Sequence, residues 1–279
     1  MTLAASGAFG ASPSGELPRM LPLVGRAEEL SQLESLMLDG NGTPRVVFVR
    51  GEGGVGKSRI AAELADRAGR RSWEVVRGRA YPVETGMPYA LFADAWVPLL
   101  KGMESSTLTV LTRGGEHDLR YLFPALGDGS DARERSVSGE PDEFRTHLMW
   151  NFAEFVKRLA GRTPLLCVLE DLHWSDESSL ELLHFLARQV AGQPVLIVCT
   201  YNDQERDGRR ALIQTERSLE SIRAGEVLHL QPLTREQVTE LVSRTFAVDA
   251  DIVRDFAGVL YGWTRGNAFF VEEILKGMV

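Results

Sequence analysis

The sequence predicts an α/β fold, in which a five-stranded parallel sheet is flanked by helices and followed by a small helical region. Short apolar runs rich in β-branched residues alternate with segments whose apolar residues recur at helical spacing. The first of these runs, at residues 46–49, leads into a glycine-rich segment at 51–58 and then into a helical pattern. From Thr234 onward only helical patterns remain.

Each predicted element follows from its own pattern. The strands are apolar runs bounded by glycine, proline or polar residues, and they lie at 46–50, 73–80, 165–169, 195–200 and 227–230. The helices repeat apolar residues every three or four positions, and they lie at 27–39, 58–70, 89–103, 119–126, 144–160, 176–190, 209–222, 234–246, 252–261 and 269–278. Thr234 followed by Gln237 predicts a capping box at the start of one of them. Flexible loops are predicted at 127–142 and 204–208.

The glycine-rich segment, GEGGVGKS, matches G-x-x-x-x-G-K-[ST], the phosphate-binding loop. Its glycines allow backbone N–H groups to face phosphate oxygens, and the helix that follows directs its partly positive end to the same place. We expect Lys57 to reach the β- and γ-phosphates and the Ser58 hydroxyl to bind Mg²⁺. The predicted nucleotide-binding positions of this loop are Glu52, Gly53, Gly54, Val55, Gly56, Lys57, Ser58 and Arg59.

Two acids follow the buried strand at 165–169, namely Glu170 and Asp171. Ligands of open parallel sheets bind at the carboxyl ends of the strands, where these side chains emerge. One carboxylate is needed to hold Mg²⁺, and another to orient or deprotonate an attacking water. We therefore predict Glu170 and Asp171 as metal-binding and catalytic residues.

The strand at 195–200 ends in Thr200, Tyr201 and Asn202. If this strand neighbours the first one, Thr200 or Asn202 would lie beside the phosphate loop and contact the γ-phosphate or the attacking water. The alternative is an ordinary polar exit from a strand.

Composition narrows the classes of protein. The chain has 279 residues, 44% of them hydrophobic, and a formal net charge of −8, which argues against a broad nucleic-acid-binding surface. No stretch approaches the roughly 20 apolar residues of a membrane span. The two cysteines, Cys167 and Cys199, lie in apolar runs, which suits core positions in a reducing, cytoplasmic compartment. Residues 1–22 are rich in small residues and in serine, glycine and proline. They lack the features of a secretory signal and are predicted to be a disordered leader.

Taken together, these segments resemble the AAA-type ATPase domains of the signal-transduction (STAND) class. Such domains occur in large LuxR-type transcriptional regulators and in multidomain adenylate cyclases and kinases. The matching segments are LVGRAEEL at 23–30, GEGGVGKS at 51–58, LLCVLEDLHWSDESSLELLHFLAR at 165–188, LIVCTYND at 196–203, HLQPLTREQV at 229–238 and GNAFFVEEIL at 266–275.

The resemblance implies a P-loop fold with strand order 5-1-4-3-2, an ATPase core at 23–232 and a helical lid at 233–279. It implies that Val24, Gly25 and Arg26 lie near the adenine and ribose. Glu170 would be the metal-side acid and Asp171 the catalytic-side acid. Pro232 would lie at the hinge into the lid, and Asn267 with Gly266 would contact the nucleotide from the lid.

Three positions depart from the family pattern. Glu170 stands where Asp is usual, Asn202 stands where Arg often follows the Thr-Tyr pair, and Ala268 replaces the proline of a Gly-Asn-Pro motif. The first two bear on the rate of hydrolysis more than on nucleotide binding.

The leading hypothesis is an Mg·ATP-binding switch that hydrolyses ATP slowly to ADP and whose state is read by downstream domains of a longer chain. ATP would bridge the core and the lid, and the domain is also a candidate for self-association. One alternative is a non-hydrolysing module that holds ATP or ADP, and a second is a P-loop kinase. A motor-type ring is a third, with Arg113, Arg120 or Arg145 as an arginine finger by position alone; each also fits a surface charge.

Overall fold

Five strands form one sheet in the computed structural model, which describes residues 21–38, 45–84, 86–123, 141–206 and 208–278. The strands are β1 (Val46–Gly51), β2 (Glu74–Arg79), β3 (Leu165–Glu170), β4 (Val195–Asn202) and β5 (Gly225–His229). Their order is β2-β3-β4-β1-β5, and every pairing is parallel. This is the predicted 5-1-4-3-2 order read from the other edge, so the predicted fold class is confirmed.

The apolar content of the strands follows from their place in the sheet. All six residues of β3 are buried, as are the first seven of β4. A parallel sheet covered by helices on both faces requires such continuous apolar runs, because neither face meets water. Cys167 and Cys199 are unpaired and buried within these two strands.

Twelve α-helices occur among the described residues. They are α1 (Ala27–Leu38), α2 (Lys57–Arg70), α3 (Ala90–Gly102), α4 (Ser105–Thr112), α5 (Glu116–Leu122), α6 (Pro141–Ala160), α7 (Glu177–Gln189), α8 (Asp203–Arg206), α9 (Arg210–Ser221), α10 (Arg235–Phe246), α11 (Ala250–Thr264) and α12 (Ala268–Lys276). Short 3-10 turns lie at Pro82–Glu84 and Leu172–Trp174. Most of the loop predicted at 127–142 and most of the leader lie outside the described residues; Leu21, near the end of that leader, is buried.

Two helices differ from the sequence prediction. Helix α4 was not predicted, because serine, threonine and valine have modest helix propensity. Burial of Leu111 and the Arg158 guanidinium, which donates to the Leu111 and Arg113 carbonyls at 3.0 Å each, stabilise it. Helix α8 replaces part of the loop predicted at 204–208, because the Asn202 side chain accepts from the Gln204 N–H at 3.2 Å and starts a helical turn.

The chain divides into two compact units, each with its own apolar core. The larger unit comprises Glu29–Gly53 and Lys57–Leu230 and contains the sheet. Its core includes a cluster of edge-to-face rings, in which the Trp96 and Phe152 centroids lie 5.3 Å apart and those of Phe92 and Phe152 5.6 Å apart. Such pairs stabilise a core beyond the area that they bury.

The smaller unit contains α10, α11 and α12 together with the described residues up to Glu28 and the loop residues Gly54–Gly56. Its core is a separate apolar cluster that includes Val24, Val238 and Val271. Helix α10 begins with the predicted capping box, in which Thr234 and Gln237 each bond the other's backbone N–H. No helix in the described ranges is long and apolar enough to cross a membrane.

Close packing of α3 on β2 makes Gly78 intolerant of a side chain. A Cβ at Gly78 would lie 2.7 Å from both Ala95 Cβ and the Leu91 carbonyl oxygen. We expect Gly78→Ala to lower the free energy of unfolding by about 1–3 kcal/mol, because neighbouring backbone must shift. Urea unfolding of both variants tests this, with Gly69→Ala on α2 as the control. A Cβ there meets nothing within 4 Å, and equal stability of the two variants would contradict the expectation.

Candidate functional site

The phosphate loop joins β1 to α2, and Lys57 is the first residue of that helix. Its Nζ donates to the carbonyl oxygens of Gly51 and Glu52, at 2.8 Å each, and the residue is 8% exposed. Burial lowers the pKa of Lys57, an effect that the carboxylate of Asp171 opposes. The ammonium group is therefore held at the loop by its own backbone.

Glu170 ends β3 and is buried, with 5% exposure. Its carboxylate accepts from the Ser58 hydroxyl, from Arg77 Nη2 at 3.1 Å and from Arg79 Nη2 at 2.9 Å. Burial acts to raise the pKa of Glu170, but the hydrogen bonds from Ser58, Arg79 and Arg77 outweigh it and hold that pKa below its ordinary value. Glu170 is thus kept ionised by three neighbouring donors.

Asp171 follows in the left-handed backbone conformation, with φ 60° and ψ 43°. Its N–H donates to Thr200 Oγ1 at 3.2 Å, and its Oδ2 lies 3.3 Å from Arg79 Nε. Burial raises the pKa of Asp171, while the charge of Arg79 opposes that rise. The pKa values of the two adjacent acids are therefore shifted in opposite directions, that of Glu170 downward and that of Asp171 upward. Opposite shifts are typical of a pair of carboxylates of which one stays ionised and the other exchanges a proton.

The end of β4 lies beside the loop, because β4 pairs with β1 and Asn202 stands opposite Gly51. A Cβ at Gly53 would lie 3.7 Å from Asn202 Nδ2. The sequence prediction placed Thr200 or Asn202 beside the phosphate loop on the condition that their strand neighbours the first strand. The pairing of β4 with β1 meets that condition. The N–H of Asn202 also donates to Nδ1 of His173, a residue with 2% exposure whose pKa is lowered by burial.

Arg26 and the loop residue Val55 belong to the smaller unit. The Arg26 guanidinium is buried and donates to the carbonyl oxygens of Val55, at 3.0 Å, and Gln231, at 2.7 Å. Val24 is buried in the apolar cluster of the same unit, and Gly25 lies against the Gln237 side chain. Val24, Gly25 and Arg26 thus all lie in the smaller unit, and their contact with a nucleotide remains a prediction.

Asn267 caps α12, with its side chain accepting from the Phe270 N–H at 3.4 Å. The preceding N–H in that turn, from Phe269, donates to the Gly54 carbonyl oxygen at 2.9 Å. Gly54 has φ 79°, and a Cβ there would lie 2.6 Å from Asn267 Oδ1. Only glycine suits this position, for its backbone conformation and for the approach of Asn267.

The remaining predicted residues differ in backbone conformation and exposure. Gly56 has φ 109°, Arg59 and Pro232 are half-buried, and Glu52 is exposed. Of the arginines considered as fingers, Arg145 pairs with Glu181, whereas Arg113 and Arg120 are exposed.

Sequence reasoning missed Arg77, Arg79 and Glu205. The two arginines stand at alternate positions of β2, so they share one face, and β2 neighbours β3 in the predicted strand order. That combination was a usable signal for pairing with Glu170. Glu205 carried no such signal, since it lay in a segment predicted as a loop.

The donor set fits Mg²⁺. In the parts of the chain that the structure describes, no group of three or more His, Cys, Asp or Glu side chains could hold a metal ion. Ser58, Glu170 and Asp171 instead supply oxygen atoms at one edge of the sheet, with Ser58 bonded to Glu170. Mg²⁺ needs only one or two carboxylates from the protein, because phosphate oxygens and water complete its shell.

Comparison with known proteins decides the family. Residues 22–198 match the model of a family described as AAA ATPase domain. The chain belongs to the AAA ATPase domain family. An uncharacterized protein of Rhizobium meliloti (strain 1021) is 26% identical over 197 residues, which cover 64% of this chain and 18% of that protein.

Two solved structures share the fold. Cdc6p from Pyrobaculum aerophilum has a TM-score of 0.51 and 19% identity over 88% of this chain and 56% of that one. The Drosophila ORC structure, determined with DNA, has a TM-score of 0.55 and 12% identity over 99% of this chain and 63% of that one. The chain spans under two thirds of each of these structures and about a fifth of the R. meliloti relative.

Removing Arg79 should destabilise the domain in a pH-dependent way. We expect Arg79→Ala to lower the free energy of unfolding at neutral pH by about 1–2 kcal/mol, because buried Glu170 loses a charged donor. The loss should be greatest above the ordinary carboxyl pKa of 4.5 and shrink as pH falls through the lowered pKa of Glu170. Asp171 also loses the charge of Arg79, which opposes the rise of its pKa. This loss lowers the free energy of unfolding in the same pH-dependent direction.

Urea unfolding between neutral pH and about pH 3, which extends below the ordinary carboxyl pKa, measures the difference between wild type and Arg79→Ala. Arg244→Ala is the control, because Arg244 forms an exposed ion pair with Glu240 on α10. Such exposed pairs contribute at most about 1 kcal/mol. A loss in Arg79→Ala that does not vary with pH would contradict the expectation.

Proposed function

We propose that this AAA ATPase domain binds Mg·ATP, hydrolyses it slowly to ADP and phosphate, and acts as a nucleotide-dependent switch of the STAND class. The observation that carries the proposal is the meeting of three elements at one edge of the sheet. Ser58 of the loop bonds Glu170 of β3, and Asp171 bonds Thr200 of β4. A phosphate loop with two acids and a neighbouring polar strand end is the constellation that phosphoryl transfer requires.

The loop residues would bind the triphosphate. Lys57 now donates to two loop carbonyls, and it would turn its ammonium group to the β- and γ-phosphates, which accept more strongly. Ser58 and Glu170 are the residues that would hold Mg²⁺. When bound, Mg²⁺ would supply positive charge that neutralises the charge of the phosphate groups.

Asp171 is suited to the role of general base. Its carboxylate binds a proton more readily than an ordinary aspartate, and its backbone is anchored to Thr200 on β4. A raised pKa brings a base closer to the working pH, which favours transfer of a proton from water. Asn202 would donate its side-chain N–H to the γ-phosphate.

Slow turnover follows from the pairing of the acids. Arg77 and Arg79 both bind Glu170, and Arg79 also lies next to Asp171. Charge-assisted contacts of this kind hold the acids in fixed ion pairs, which must rearrange before the acids engage metal and water.

The switch would act through the loop residue Gly54. The Phe269 N–H at the start of α12 donates to the Gly54 carbonyl oxygen, within the smaller unit. A loop that changes conformation on binding or losing the γ-phosphate would alter this contact, and α12 would respond. Partners in this proposal are ATP, downstream domains of the same chain and a second copy of this domain. A cytoplasmic location belongs to the same proposal, on the buried thiols of Cys167 and Cys199.

A second candidate is a module that holds ATP or ADP without turnover. The observation that favours it is again the pairing of Glu170 with Arg77 and Arg79. Two arginines already neutralise the charge of this acid, which weakens its attraction for a metal ion. Binding is common to both candidates, so turnover separates them.

Lys57→Ala tests nucleotide binding. We expect ATP affinity to fall about 10- to 100-fold, because a charged donor to the phosphates is lost. Isothermal titration with Mg·ATP measures it, and Lys157→Ala on α6, where Lys157 pairs with Glu154, is the control. Unchanged affinity in Lys57→Ala would refute the proposed site.

Asp171→Asn tests turnover. We expect ATP affinity to remain near that of wild type, while the single-turnover rate falls by about 100-fold or more through loss of the base. Quenched-flow measurement with enzyme in excess over ATP gives the rate. Equal background rates in both proteins would favour the non-hydrolysing module.

A further inference from the structure

Glu205, on the single turn α8, joins two segments of the candidate site. Its Oε1 accepts from Asn202 Nδ2 at 3.1 Å, and its Oε2 accepts from Trp174 Nε1 at 3.1 Å. The same Oε2 lies 3.4 Å from Nε2 of buried His173. One carboxylate thus contacts both the end of β4 and the turn that follows Asp171.

These contacts define the orientation of the Asn202 amide. A carboxylate can only accept, so the group of Asn202 that faces Glu205 is the Nδ2 amine. A backbone N–H can only donate, so the group that faces the Gln204 N–H, at 3.2 Å, is Oδ1. The two neighbours agree, and a flipped amide would lose both hydrogen bonds.

The orientation matters because Nδ2 lies next to Gly53 of the phosphate loop. A Cβ at Gly53 would lie 3.7 Å from it. Nδ2 carries two hydrogens, and Glu205 occupies one of them, which leaves a second for a phosphate oxygen. A flipped amide would present Oδ1 to that oxygen, and two acceptors repel each other.

His173 adds a second restraint of the same kind. Its Nδ1 accepts from the Asn202 N–H, at 3.4 Å, so the neutral ring carries its proton on Nε2, the atom beside Glu205. Asn202 is therefore restrained through its backbone by His173 and through its side chain by Glu205.

We propose that Glu205 is a positioning residue that orients the Asn202 amide toward the γ-phosphate and thereby sets the preference of this domain for ATP over ADP. This inference rests on the proposed function, because it requires that the loop bind these nucleotides. Glu205 touches neither nucleotide itself. Its effect is confined to the phosphate that distinguishes ATP from ADP.

The test is the ratio of ADP to ATP dissociation constants, measured by titration with Mg²⁺ for wild type and variants. Asn202→Ala should reduce the preference for ATP by about tenfold, the loss expected for one hydrogen bond to a charged group, and leave ADP affinity unchanged. Glu205→Ala should reduce the preference by up to this amount, because the Gln204 N–H still bonds the Asn202 side chain. The double variant should lose no more than Asn202→Ala, because both residues act through one hydrogen bond.

Glu205→Gln should lie between wild type and Glu205→Ala, since its single oxygen keeps one of the two hydrogen bonds. Glu220→Ala, which removes an exposed carboxylate from α9, is the charge-matched control and should behave as wild type. Urea unfolding identifies any variant that loses stability. If Glu205→Ala does so, the ratio of dissociation constants is compared between wild type and Glu205→Gln instead.

The outcomes separate the inference from the proposed function. An unchanged ratio in Glu205→Ala, or equal losses of ATP and ADP affinity, would overturn the role of Glu205 while leaving nucleotide binding intact. Additive losses in the double variant would show that Glu205 acts independently of Asn202 and would also overturn it. Absence of binding of either nucleotide to wild type would refute the proposed function and the inference together.

Discussion

The arrangement of the site depends on the hydrogen bonds and ion pairs of one buried carboxylate, that of Glu170. An ionised group with 5% exposure is tolerated only with partners, because these must compensate for the hydration that the charge loses on burial. Arg77 and Arg79 come from the neighbouring strand, and Ser58 comes from the start of α2. The contacts of this one charge therefore link β2 to β3 and the start of α2 to the acids.

The same set of contacts explains why two adjacent acids behave differently. Glu170 receives three donors, which outweigh the effect of burial on its pKa. Asp171 turns away in a left-handed conformation, receives less compensation, and has a raised pKa. Two neighbouring carboxylates thus acquire opposite pKa shifts from their surroundings alone.

Polar contacts also extend from the acids to the neighbouring strand end. Thr200 bonds the backbone of Asp171, and His173, two residues further on, bonds the backbone of Asn202. Glu205 then holds the Asn202 side chain beside the loop. These contacts form because β4 lies between β3 and β1 in the sheet. The end of β4 is therefore next to the end of β3 on one side and to the end of β1 on the other.

The sequence by itself determined the fold class and the phosphate-loop motif, and its resemblance to a family implied the strand order. The roles assigned to the loop residues and to the two acids are predictions. Apolar periodicity and a glycine pattern are local, so they can be read without knowing what packs where. The tertiary structure showed that Arg77 and Arg79 pair with Glu170, and it alone decided the contacts of Glu205 and the helices α4 and α8. Arg77 and Glu170 are far apart along the chain and meet only when β2 pairs with β3, while the turn of α8 depends on the side chain of Asn202. Spacing cannot record such contacts, because they follow from packing and charge compensation between distant segments.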